Sequence, residues 1–185
     1  GMLEDFTAQR QGCYRREATR PGPHNLLLDT VCAVTVAASA GPARPLWQID
    51  PAWTVPAGVA ATADSSFGVT MDGVSVEWMW DAATGRYLRF QDGAAHVAAN
   101  GWHIAAANVV EIAAVHTRSP VDARSPNPIT VGTGAAIVHR DGVAVPAVWS
   151  RASPYDPFQF FDTATGAAIP LAAGTTFVEL TRARP

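Results

Sequence analysis

Val74-Ser75-Val76-Glu77-Trp78-Met79-Trp80 runs into Asp81-Ala82-Ala83-Thr84-Gly85 and then Arg86-Tyr87-Leu88-Arg89-Phe90-Gln91. Val74, Val76, Trp78 and Trp80 alternate with Ser75, Glu77 and Met79, the period of two that a half-buried strand requires. The Asp81 carboxylate can accept turn N–H groups and Gly85 can take positive φ, so the stretch reads as a hairpin. The same device, Asp162-Thr163-Ala164-Thr165-Gly166, recurs between 158–161 and 167–171. The shared Asp-x-Ala-Thr-Gly is read as convergent turn chemistry rather than a functional repeat, and Gly85 and Gly166 are both expected at positive φ. Arg140-Asp141-Gly142 closes a third hairpin between 129–139 and 143–150, while 109–117 and 176–181 supply further strands. Strands joined by short turns predict antiparallel sheet, not alternating βαβ units.

Upstream the period is lost. Residues 46–66, with Pro51, Pro56, Gly58 and Asp64-Ser65-Ser66, read as an irregular connection that Trp47 and Trp53 pin to the core. Residues 1–45 begin Arg-rich and end broken by Gly41-Pro42 and Pro45. In between, Asn25 is expected to cap a helix running to about residue 38, with Asp29 near its start. The β-branched Val31, Val34, Thr35 and Val36 leave a strand open for its second half. The expected organisation is a helical N-terminal segment (1–45), a connection (46–66) and an antiparallel domain (67–185). The fold class is α+β, predominantly antiparallel β-sheet with one principal N-terminal helix.

Composition narrows the function classes. The chain has 185 residues, 48% of them hydrophobic and 16% charged, which suits a folded protein able to bury roughly 70% of its unfolded surface. The net charge of −3, with no aromatic-basic clustering, argues against nucleic acid as a partner. All 13 basic residues are arginine, which excludes a Schiff-base or Walker-type lysine. Gly1 before Met2 reads as a tag scar, and Leu3-Glu4-Asp5 gives no basic n-region. The longest apolar stretch, 31–38, is too short to span a bilayer. Cys13 follows Gly12, but no hydrophobic run precedes it, so no lipobox is read. Cys13 and Cys32 leave two alternatives open, a disulfide in an oxidising compartment or two separate thiols.

Specific chemistries fare poorly. Val131-Gly132-Thr133-Gly134 lacks the third glycine and the following helix of a phosphate loop, and glycines in a strand mark a bulge or a close backbone approach. His96 and His103 have no third ligand for zinc. There is no Gly-x-Ser-x-Gly elbow, and Cys13 lacks a cysteine-hydrolase context. Glu77 and Glu111 each alternate with apolar positions and read as solvated strand faces rather than as a hydrolase's carboxylate pair. No catalytic residue, metal or cofactor is expected.

An ordered set of segments carries a family resemblance. Pro23-His24-Asn25-Leu26 resembles the segment after the first domain of the YerB-like lipoproteins, a family without an established role. Gly93-Ala94-Ala95-His96-Val97 and Asn108-Val109-Val110 resemble the middle of that family's C-terminal domain. Val131-Gly132-Thr133-Gly134-Ala135, Asp141-Gly142 and Trp149-Ser150-Arg151 continue it in order, and 162–179 resembles its ending. The likeness spans about residue 14 to residue 180 and implies an extracytoplasmic, cell-envelope protein. Relatives carry a secretory lipoprotein signal and an N-terminal domain that this sequence does not show, so a late gene start or a truncation is expected. Relatives also place an acidic residue just before the Val-Gly-x-Gly segment, where Ile129 and Thr130 stand here.

On or beside these segments lie His24, Asn25, Arg86, His96, Asn108, Trp149 and Arg151. Arg can bind carboxylates or phosphates bidentately and Trp can stack on a sugar, so these residues are the candidate ligand-binding set. The competing reading makes His24 and Asn25 caps, His96 a satisfier of a buried group and Trp149 core. If the set is a site, His96 and Arg151 should share a cleft with Arg86 or His24, and it should hold an anion. The favoured function is a non-catalytic envelope module binding an anionic ligand, glycan or partner protein. The alternative is part of an envelope hydrolase completed by a missing N-terminal domain.

Overall fold

Asp29, not Asn25, caps the one helix among the described residues, which in this computed structural model are 12–22, 25–38, 45–71, 73–119 and 125–183. The reason is competition for Leu26. Strand β1 (Tyr14–Arg16) pairs antiparallel with β2 (Leu26–Leu28), so that segment is extended and the helix α1 (Thr30–Ala37) starts only after it. Asp29 Oδ1 accepts from the N–H groups of Val31 and Cys32, each at 3.0 Å, which satisfies two otherwise orphaned donors. Asn25 instead braces the β1–β2 turn: its Oδ1 accepts from Arg16 at 2.7 Å and its Nδ2 donates to the Glu17 carbonyl at 3.2 Å. Cys13 and Cys32 form a disulfide that ties the start of β1 to the helix. These elements belong to one compact unit, Gly1–Pro45; Leu46–Pro185 is a second.

The second unit begins with β3 (Thr62–Ala63), β4 (Ser66–Met71), β5 (Val74–Asp81) and β6 (Arg86–Gln91). It continues through β7 (Ala94–Ala95), β8 (Ala105–Ala106), β9 (Asn108–Ala114), β10 (His116–Arg118) and β11 (Pro126–Pro128). It ends with β12 (Gly132–Arg140), β13 (Val143–Arg151), β14 (Gln159–Asp162) and β15 (Thr176–Arg182). One sheet has the order β14-β13-β12-β9-β15 with β3 also on β13; the other has the order β4-β5-β6-β7 with β8 on β6. All pairs are antiparallel except β15 on β9. The 109–117 strand expected from sequence splits at Val115, because β10 leaves to form a separate two-stranded ribbon with β11. That ribbon consumes 126–128, so β12 starts at Gly132 rather than at Ile129.

Alternation gives the larger sheet two buried faces. Val109 and Phe177 pack against Val69, Val76, Trp78, Tyr87 and Ala106 of the smaller sheet. Val110, Ile112, Val138, Val145 and Ala147 face the other way, onto Phe158, Phe160, Ile169 and Leu171, with Trp47 and Trp53 packed against them. Trp47 bridges to Phe158 and Ile49 to Leu171, which fastens the 46–61 arm down. Of the expected 167–171 strand, Ala167 and Ile169 do pair with β14, through Asp162 N–H to Ala167 O and Ile169 N–H to Phe160 O about the bridge Phe161↔Ala168, and the arm takes over at Leu171.

The hairpin chemistry is as read: Gly85 has φ 64° and Gly166 φ 71°. Asp81 accepts from Thr84 Oγ1 at 2.7 Å and Ala83 N at 3.0 Å, and Asp162 accepts from Thr165 Oγ1 and Thr165 N, both at 2.7 Å. The threonine hydroxyls, followed by turn N–H groups, hold both carboxyls below the usual aspartate range. A carboxyl whose folded pKa is depressed contributes stability above its unfolded pKa and loses that contribution as pH falls through the folded value. Stability should therefore drop on acidification from about pH 5 to about pH 2, and Asp162→Asn should flatten that slope. Urea titrations at several pH values check this; an unchanged slope in the variant counts against it.

Candidate functional site

Strands β9 and β12 part company. Their ladder runs from Arg140↔Asn108 to Ala136↔Ile112 and stops, although β9 continues to Ala114 and β12 begins at Gly132. The wedge is Trp149. It lies opposite Gly134 on β13, and its indole Nε1 donates at 3.0 Å to the Ala113 carbonyl across the gap. Only glycine permits this, since a Cβ on residue 134 would sit 2.6 Å from Trp149 Nε1 and 2.9 Å from the Ala113 oxygen. The close backbone approach read from the glycine pattern is thus an indole crossing bare backbone. Gly134→Ala should cost about 1–3 kcal/mol by overpacking; thermal unfolding checks it, and an unchanged midpoint would contradict the wedge.

At this parting a groove of about 1030 Å³ opens between β4 of the smaller sheet and β9, β12 and β15 of the larger. Its lining includes Val69, Thr70, Ala113, Val115, Ile129, Val131, residues 132–135, Thr181, Glu111 and Arg182. In an antiparallel pair, alternate residues turn both backbone polar groups away from the partner strand. Every second residue of 132–135 therefore directs N–H and C=O away from β13, toward the side where the β9 ladder has ended. Glu111 and Arg182 are the charged residues of this lining, and Arg182 is itself engaged.

Glu111 is not the solvated strand-face residue expected from its spacing. It sits on a central strand, its side chain is 19% exposed, and Oε1 lies 3.0 Å from His139 Nε2. His139 Nδ1 lies 2.7 Å from Asp64 Oδ2. The Phe67 ring stacks on the imidazole at 3.5 Å, and Asp64 is held from behind by its own N–H on the Gly142 carbonyl. With a carboxylate on each ring nitrogen, both hydrogen bonds form only when the array holds a proton on each N···O line. Of the two carboxylates in this array, Glu111 is the one that lines the groove. Tyr87 stands over this array, with burial and then the Asp64 charge pushing its phenol far above the usual range.

A family model for the C-terminal domain of the DUF3048 proteins, described as proteins of unknown function, matches residues 67–178. This chain belongs to the DUF3048 family. The crystal structure of YerB from Bacillus subtilis shares the fold, with a TM-score of 0.60 at 16% identity. That likeness covers 91% of this chain and 56% of YerB, so the chain spans little more than half of that relative. No curated protein matches the chain.

Within the DUF3048 domain, Trp149 is the residue of the sequence-derived set that lines the groove. Its ring is 3% exposed and packs edge-on against Phe158, so it offers no face for stacking. Asn108 is fully buried, exchanging hydrogen bonds with the Ala172 backbone and donating to Thr176. His96 belongs to the smaller sheet's cluster: its Nδ1 meets Arg89, which also binds Glu179 and Gln91. Arg151 lies on the far face of the larger sheet, over Phe158, donating to the carbonyls of Asp156 and Pro154. His96 and Arg151 therefore do not share a cleft, because strand alternation turns residue 151 the same way as Val145 and Trp149. Arg86 is exposed opposite Asp81 at a hairpin end. Asn25 belongs to the first unit, and His24 lies outside the described residues. The residues missed by the sequence reading are Asp64 and His139. Their one local signal is a histidine that follows the apolar run Ala135-Ala136-Ile137-Val138 in a strand buried on both faces.

Proposed function

We propose that the Leu46–Pro185 unit is a non-catalytic binding module of the cell envelope, whose ligand is an extended segment of a partner protein laid along the groove. The parting of β9 from β12 carries this reading. It opens a groove of about 1030 Å³ between the two sheets, in which an extended segment can lie with alternate side chains read by flanking pockets, while Ala113 and Val115 keep β9 close to Gly134 and Ile129. The walls suit such a segment, with Val69, Val115, Ile129 and Val131 for apolar side chains and Thr70, Thr133 and Thr181 for polar ones. A glycan would want an open aromatic face, which buried Trp149 does not offer. An anionic ligand would want an unengaged cation, whereas the lining presents Glu111. The Cys13–Cys32 disulfide supports a location outside the cytoplasm.

The test is a backbone NMR titration with the neutral peptide acetyl-Val-Thr-Val-Thr-Val-amide. Saturable shifts should concentrate at 68–70, 113–115 and 131–135. Scattered shifts, or none, would count against the groove. One observation favours the hydrolase reading: Glu111 is oriented by an imidazole that is itself oriented by Asp64, as a positioned acid or base would be. The two readings separate on Glu111→Gln, which would abolish turnover in a hydrolase but would change only affinity in a binding module.

A further inference from the structure

We infer that Glu111 selects a basic side chain, arginine or lysine, in the docked segment, an inference that rests on the peptide reading above and names its specificity. Glu111 Oε1 is fixed by His139 Nε2, while Oε2 has no hydrogen-bond partner among the described residues. The imidazole that holds Oε1 is itself clamped by Asp64 and the Phe67 ring. It is thus a preorganised acceptor on a groove wall, and a fixed carboxylate loses less entropy on binding than a mobile surface one. Ala113 and Ala135 of the same lining are small, and the cross-strand neighbour Glu179 is buried and paired with Arg89 at 3.3 Å, so the partly buried setting strengthens a charge-assisted hydrogen bond to Glu111. Of the array's two carboxylates, Glu111 is the one that lines the groove. A partner cation placed at Oε2 would extend the hydrogen-bonded line Asp64–His139–Glu111 by one charge-assisted bond. Arg182 also lines the groove and is itself engaged.

Two peptides isolate the charge: acetyl-Val-Thr-Arg-Thr-Val-amide and the same sequence with neutral citrulline in place of arginine. Affinities are read by NMR titration against wild type and Glu111→Gln, with the Glu111 side-chain carboxyl followed by ¹³C labelling. On wild type the arginine peptide should bind about tenfold tighter, the size of one charge-assisted hydrogen bond. The labelled carboxyl resonance should move with arginine and not with citrulline. Glu111→Gln should bring the two affinities within about twofold. Equal affinities on wild type would overturn the inference and leave the docking reading standing. An arginine preference that survives Glu111→Gln, or one that leaves the labelled carboxyl unmoved, would overturn the assignment to Glu111. If neither peptide binds, the docking reading falls and the inference with it. Should the variant fail to fold, the wild-type affinities and the carboxyl resonance still decide.

Discussion

Replacing Arg140 with methionine is expected to destabilise the β unit by about 1–3 kcal/mol, the cost of stranding a buried carbonyl acceptor. The side chain is 1% exposed. Its guanidinium lies over Trp53 at 4.7 Å and donates to the Pro170 carbonyl at 2.5 Å and the Asp50 carbonyl at 3.3 Å. It therefore clasps the 46–61 arm and the segment after β14 onto the face of the larger sheet. Asp141 receives a third bond at 2.8 Å but is exposed, so water can replace that one. The buried Pro170 carbonyl has no such recourse, whereas the Asp50 carbonyl keeps the Trp53 N–H at 3.4 Å. Methionine fills much of the volume and donates nothing, while lysine lacks the planar fork that reaches both acceptors. Chemical denaturation measures the loss, and a change under about 1 kcal/mol would show that the arm holds without the clasp.

Opening the Cys13–Cys32 disulfide is expected to cost the first unit about 3 kcal/mol, from loop-closure entropy over a separation of 19 residues. The unit has little else to rely on. Its sheet has two strands of three residues, and its helix has no buried residue among those described. A unit of this size without a substantial core ordinarily needs a staple. Reduction should therefore collapse the amide dispersion of residues 12–38 and leave the β unit's signals in place. If those resonances keep their positions in reductant, the staple is not what holds the unit.

The sheet was legible in the sequence because alternation and turn chemistry are local. Val74 to Trp80, the Asp-x-Ala-Thr-Gly turns and the Arg140-Asp141-Gly142 turn each announce themselves within a few residues. The helix start was not, since what displaces it is β1, ten residues upstream, competing for Leu26–Leu28. The groove was half legible. Gly132 and Gly134 signalled a close approach, but not that the approaching group is the Trp149 indole, fifteen residues further on. The Asp64–His139–Glu111 array left no spacing signal at all, because its members come together only through sheet order, across separations of 75 and 28 residues. Arg151 and Asn108 looked like ligand groups because they are polar residues at strand ends. They turn out to satisfy backbone groups that strand ends expose.

Amide hydrogen exchange at residues 132–135 tests the central claim most directly, measured with and without the arginine peptide. If a partner segment lies along the groove, exchange at 131–135 should slow on binding, while amides outside the groove lining stay unchanged. Unchanged rates with the peptide bound, or protection confined to sites outside the groove, would contradict docking in the groove.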